Sequence, residues 1–276
     1  MSVAIDSNKQ STKVYINNVL CTSKVVDIID MVLPYIFSYL SVVIYEDELH
    51  VLGGNSTTNT YHIKWDGTQW VTVSTLPIGN DGCAVVYDGE IHLFSDTSHY
   101  GWDGTQWNTY TLPNVNMKNG HCVVNGNLHI LGGTNNPTMH YEWNGSEWVS
   151  ASTLPINFVD GSVVVYDDKI NILSGTNHYE WDGTSWTSVS TLPASFKYGD
   201  AFSSDKIYMI GCGESNDQSY LWDGQEWTEG EELNIPLVNG KVASLNNSIY
   251  CIGGKGYYKM CIKYGSDIFI GSISIT

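Results

Sequence analysis

A β-propeller, an all-β ring of four-stranded sheets, is the fold class that three observations on this 276-residue chain predict. Every one of its ten tryptophans belongs to a hexapeptide Trp-(Asp/Asn)-Gly-x-x-Trp, found at residues 65–70, 102–107, 143–148, 181–186 and 222–227. Successive copies start 37, 41, 38 and 41 residues apart, and a period near 40 marks propellers or solenoids. Within each period, alternating apolar runs are joined by Asp-Gly or Asn-Gly, the strongest short-range hairpin signal. No stretch shows capped helical periodicity.

The chain divides into residues 1–30, an N-terminal segment that serves as an anchor or a ring-closing strand, and residues 31–276, the propeller. Units open on Leu33-Pro34, Leu76-Pro77, Leu112-Pro113, Leu154-Pro155 and Leu192-Pro193, with a looser opening from Leu233 to Pro236. A variable loop then reaches Gly82, Gly120, Gly161, Gly199 or Gly240, with Leu40 in that place in the first unit. An inner hairpin follows, at 41–52, 83–94, 121–131, 162–173, 200–210 and 242–252. A second variable loop leads to the outer hairpin, which the Trp-Asp-Gly turn closes. Five outer hairpins carry Trp, and residues 13–21 and 257–270 are the candidates to complete the last blade. Six four-stranded blades are therefore expected, with seven as the alternative, and a terminal segment closes the ring so that no edge is exposed.

A formal net charge of −17 argues against nucleic acid and anionic membrane surfaces as partners, because phosphate recognition relies on Lys and Arg. No apolar run approaches the roughly 18 residues needed to span a bilayer, so no membrane insertion is expected. Residues 1–12 lack the basic start and apolar stretch of a signal peptide. The six cysteines show no CxxC spacing and read as free thiols. Seven of the eight histidines recur at repeat positions: His50, His92 and His129 on second strands, His99, His140 and His178 before the Tyr of third strands, and His62 after Tyr61. Copies in separate blades do not converge on one ion, so no metal and no cofactor is expected.

The Gly-Gly pairs at 53–54, 132–133 and 253–254 resemble the kelch repeat, as do Tyr100/Trp107, Tyr141/Trp148, Tyr179/Trp186 and Tyr220/Trp227, each with six residues between. The first unit departs, Tyr61 standing nine positions before Trp70, and Gly-Gly gives way to Ser95-Asp96, Ser174-Gly175 and Gly211-Cys212-Gly213 in later units. The resemblance covers about residues 33–256 and implies a β-propeller. Some kelch-like propellers are copper oxidases or sugar isomerases, but no matching Tyr/His/Cys copper set or acid–base pair is found here. The segment Lys13-Val14-Tyr15-Ile16-Asn17-Asn18-Val19-Leu20 resembles strands near the starts of tailed-phage structural proteins.

Variable connections fall on one rim, short turns on the other, and binding lives on variable loops carried by a regular scaffold. The residue after the inner Gly is Ser41, Cys83, His121, Ser162, Asp200 and Lys241 in turn, a position that does not repeat and is expected to ring the channel. The candidate ligand-binding residues on this face are Tyr35, Phe37, Tyr39, His121, Asn136, Phe158, Phe196, Tyr198 and Asp200; none is assigned as catalytic. Aromatic faces beside amides suit sugars or a protein partner. The expected function is a non-enzymatic binding or structural propeller of a phage virion, in the tail or baseplate fibre system. Its expected partners are other virion proteins or a host-surface glycan or protein, with further copies of the chain in the assembly. The alternatives are a cytoplasmic or surface protein–protein adaptor of a bacterium or eukaryote and a sugar-metabolising propeller enzyme.

Overall fold

The structure is a computed structural model. It describes residues 40–253 apart from 55–59, 68, 231, 234–235 and 246–247, together with the backbone strands Ala4–Ile5, Val14–Ile16, Val19–Cys21 and Cys261–Tyr264. All regular structure among these residues is antiparallel β, and no helix is long and apolar enough to cross a membrane.

Blade one runs Leu40–Tyr45, Glu48–Gly53, Tyr61–Trp65 and Trp70–Thr75, a simple meander hydrogen-bonded in sequence order. Blades two, three and five repeat it from inner strands Cys83–Tyr87, His121–Asn125 and Asp200–Ser203. Blade four starts at Ser162–Tyr166 and continues in one long strand, Lys169–Trp181. Asn171 and His178 of that strand hydrogen-bond at 2.8 Å. Seven extended residues would span about 20 Å or more, so the strand doubles back and supplies two legs of the blade.

Six inner strands pack side by side in order, and the last, Lys241–Leu245, lies against the first, Leu40–Tyr45, which closes the ring. The expectation of six four-stranded blades is corrected: five blades are complete, and the sixth sheet has three strands, Lys241–Leu245, Ser248–Ile252 and Cys261–Tyr264. The N-terminal strands Ala4–Ile5, Val14–Ile16 and Val19–Cys21 pair with one another in a separate sheet. Among the described residues the strand that extends the closing sheet is therefore C-terminal.

The core is distributed among the seams. Six apolar clusters each draw on two neighbouring sheets: Leu49, Val51 and Trp65 meet Ala243, Tyr250 and Ile252 across the closure. Leu76, Leu154 and Leu192 of the Leu-Pro openings are buried in such seams, each filling the wedge between diverging sheets. The Gly before the inner strand has a steric cause. A Cβ on Gly82 or Gly161 would stand 2.1 Å from the carbonyl oxygen of Phe94 or Leu173 on the paired strand. The outer turns are built by the Asp side chain: Asp103 Oδ1 accepts from the backbone N–H groups of Thr105 (2.8 Å) and Gln106 (2.9 Å), an Asx turn.

Candidate functional site

Pairing places the start of each inner strand opposite the end of the second, as in Leu40↔Gly53 and Ser162↔Leu173. The Leu-Pro loops and the loops after the second strand therefore share one rim. At that rim a cavity of about 520 Å³ lies on the axis. Ser41, Cys83, His121, Ser162, Asp200 and Lys241, one from each sheet, line it, joined by Lys118, Lys197 and Tyr198 from the loops.

These side chains tie neighbouring sheets. Asn80 Nδ2 donates to Ser41 Oγ (2.9 Å) and to the Leu52 carbonyl (3.1 Å). Ser162 Oγ donates to Asp200 Oδ1 (3.0 Å), and the Val242 N–H donates to Asp200 Oδ2 (2.8 Å). Lys241 Nζ lies 3.4 Å from the same carboxylate. His121 stacks on Phe158 with centroids 4.0 Å apart, and its Nε2 contacts the Gly161 carbonyl at 3.3 Å. The carbonyl accepts, so Nε2 carries the proton, and Nδ1 is a buried acceptor without a partner among the described residues. Burial pushes the His121 pKa down to about 3, so the ring is neutral at pH 7. Burial and the adjacent Cys122 thiol push Cys83 well above the ordinary thiol range, so Cys83 stays a thiol at pH 7. Lys197 pairs with Asp160 (3.6 Å) and its ammonium lies 4.9 Å from the Tyr198 ring centroid.

Of the residues singled out from sequence, His121, Tyr198 and Asp200 line the cavity. Asn136 does not; its Oδ1 accepts from the Asn116 N–H at 3.1 Å within the loop network. Phe158 and Phe196 are corrected from exposed stacking surfaces to core, both fully buried between blades. The loop carrying Phe158 folds back, its N–H donating to the Pro137 carbonyl at 2.8 Å, and the ring drops into the seam. Tyr35, Phe37 and Tyr39 lie outside the described residues.

The histidines perform a task that sequence reasoning missed. Within a blade they meet: His50 Nδ1 with His62 Nε2 at 2.9 Å, His92 with His99 at 2.8 Å, His129 with His140 at 3.0 Å. In blade four Asn171 replaces the first of the pair. The third-strand imidazole then reaches the fourth strand, at Ser74 (2.8 Å), Ser152 (2.7 Å), Ser190 (3.0 Å) or the Thr111 carbonyl (3.1 Å). Those same oxygens accept the indole N–H of the next blade's second Trp: Trp107, Trp186, Trp227 and Trp148 respectively, at 2.9–3.0 Å. The signal that could have found this relay was the recurrence of a third-strand His with a Ser four positions after the second Trp in blades one, three and four, two of which also carry the second-strand His. Among the described residues no group of three or more His, Cys, Asp or Glu is placed to hold a metal ion.

No family model and no curated protein matches the chain. Solved structures do: the protein described as "Structure of YjhT" superposes with a TM-score of 0.71 at 15% identity, covering 84% of this chain and 94% of that one. The chain thus has the β-propeller fold, with an axial cavity on the rim where its connections vary.

Proposed function

We propose that this chain is a non-enzymatic binding propeller of a phage particle, seated in the tail or baseplate fibre system, whose axial cavity meets a host-surface glycan. A neighbouring virion protein is the other partner this rim suits. The observation that carries the binding role is the ring of six equivalent positions. The scaffold repeats Trp, His and Gly with little change, yet Ser41, Cys83, His121, Ser162, Asp200 and Lys241 all differ from one or more neighbours in charge or chemistry where they face the cavity. A volume of about 520 Å³ lies in the range of small-ligand sites. Lysine and asparagine donors, carboxylate acceptors and the partly exposed Tyr198 ring suit the hydroxyls and apolar face of a sugar. The phage setting rests on the N-terminal resemblance and the kelch-like repeats.

Glycan-array binding of the wild type and of Tyr198→Ala combined with Lys118→Ala tests the ligand. Binding reduced at least tenfold supports the cavity, and unchanged binding removes it. Locating the chain in purified particles by electron microscopy tests the setting. Particle incorporation without glycan binding leaves the neighbouring virion protein as partner, and turnover of a sugar overturns the non-enzymatic reading.

A further inference from the structure

On the opposite rim, where the turns are short, the seams between blades are not alike. Between blades one and two, Tyr45 is buried and its hydroxyl covers Gly104, 3.4 Å from where a Cβ would stand; between blades four and five, Tyr166 covers Gly224 at 3.6 Å. Between blades two and three the corresponding Tyr87 leaves Gly145 uncovered, and a cleft of about 220 Å³ opens there.

Sequence departures in blade two build this cleft. Blades one, three and four carry Lys64, Glu142 and Glu180 on the third strand, each tied to a polar residue of the second: Glu48 at 2.6 Å, Asn127 at 2.5 Å and Lys169 at 3.0 Å. Blade two has Gly101 there. A Cβ on Gly101 would lie 2.4 Å from both Glu90 Oε2 and the Tyr110 ring, so the missing side chain lets those two meet. Glu90 then has no cation opposite it; its Oε2 accepts the Tyr110 hydroxyl at 2.8 Å. Tyr110 pairs with His99, the register that Ser74, Ser152 and Ser190 hold in blades one, three and four, where a bulge at Val73, Ala151 or Val189 precedes it and blade two has none. His62, His140 and His178 set their rings against the first Trp of the next blade at 5.1–5.2 Å, whereas His99 stacks on Phe94 (4.2 Å) and leans on Tyr110 (5.1 Å). Trp143 is left half-buried while Trp102, Trp181 and Trp222 are each 5% exposed.

The cleft thus has aromatic walls from Tyr87, Tyr110 and Trp143, the carboxylates of Asp88 and Glu90, and no lysine in its lining. Its two imidazoles, His92 and His99, are kept neutral by burial and do not repel a cation. Aromatic faces with a carboxylate in a partly desolvated site recognise alkylated ammonium groups. The volume falls below the roughly 300 Å³ of common ligand pockets, which restricts the occupant to a few heavy atoms. We propose that this cleft binds a small organic ammonium ion, its nitrogen against the aromatic walls and its charge balanced by Glu90 and Asp88.

The test is titration calorimetry and saturation-transfer NMR on the full chain with tetramethylammonium and choline chlorides, against sodium chloride of equal ionic strength. The neutral choline isostere 3,3-dimethylbutanol is the control for charge. Both cations should bind saturably, and at least tenfold more weakly to Glu90→Gln and to Tyr110→Val. The neutral alcohol should show no such binding, and Tyr198→Ala in the axial cavity should leave the cations' affinity unchanged. Absence of saturation, equal binding of the alcohol, undiminished binding in both cleft variants, or loss in Tyr198→Ala would overturn the proposal.

Discussion

Around the circumference, a His and the next blade's Trp share one oxygen four times over, a Ser hydroxyl in three seams and the Thr111 carbonyl in the other. Around the axis the same task falls to Asn80–Ser41, Ser162–Asp200 and Asp200–Val242, with no contact repeated. The outer network hangs on buried histidines, so removing a histidine's partner orphans a ring nitrogen away from water, while its Trp and Ser members are half-buried. The inner network faces a cavity where water can replace a lost partner, so its residues were free to diversify. That difference is the physical reason to look for recognition on the axis and for stability at the periphery.

Acid should break the outer network most severely. Burial lowers the pKa of every histidine: His50 and His178 to about 4, His62, His99, His121 and His140 to about 3, and His92 and His129 also downward. An unfolded histidine titrates near 6.5. Between those values the unfolded chain binds more protons than the folded one, so the stabilisation is full above about pH 6.5 and lost as pH falls toward 4. The slope is on the order of 1 kcal/mol per pH unit for each histidine that takes up a proton. Thermal melts from pH 7.5 to pH 4 should show a steep fall in Tm beginning near pH 6.5, and a flat profile down to pH 5 would contradict it.

Ser152→Ala comes next. It strips the partner from both the half-buried Trp186 Nε1 and the buried His140 Nδ1, and a buried orphan costs about 1–3 kcal/mol. Urea denaturation should register a loss of about 2–4 kcal/mol. On the axis, Asp200→Asn keeps shape but removes the charge facing Lys241, with an expected loss of about 1–2 kcal/mol by the same measurement. Ser41→Ala should cost least, about 1 kcal/mol or under, because Asn80 keeps its bond to the Leu52 carbonyl. Should Asp200→Asn exceed Ser152→Ala, the division between a fixed periphery and an adaptable axis would be wrong.

The repeat, its hairpins and the shared rim of variable loops were legible because Trp spacing and Gly placement are local signals. The closing sheet was less so: Cys261–Tyr264 carries no Trp to mark it, and the sequence admitted either terminus. His50 and His62 are 12 residues apart, His92 and His99 only 7, so their meeting depends on loop lengths that no fixed spacing reveals. Phe158 and Phe196 follow the Leu-Pro pairs and read as loop residues from sequence, but a propeller's wedge-shaped seams must be filled, and Phe158 of a loop and Phe196 at the end of the strand Trp186–Phe196 fill them.

Among the described residues, blade five carries Tyr208 and Ser219 in the registers that hold histidines in blade one. Tyr208 turns instead to Phe202 and Asp205 within its own hairpin. The join between the fifth and sixth sheets is therefore a clasp of another design. Under force or denaturant the bracelet should part there before it parts elsewhere, and amide hydrogens along Lys241–Leu245 should exchange ahead of those along Cys83–Tyr87.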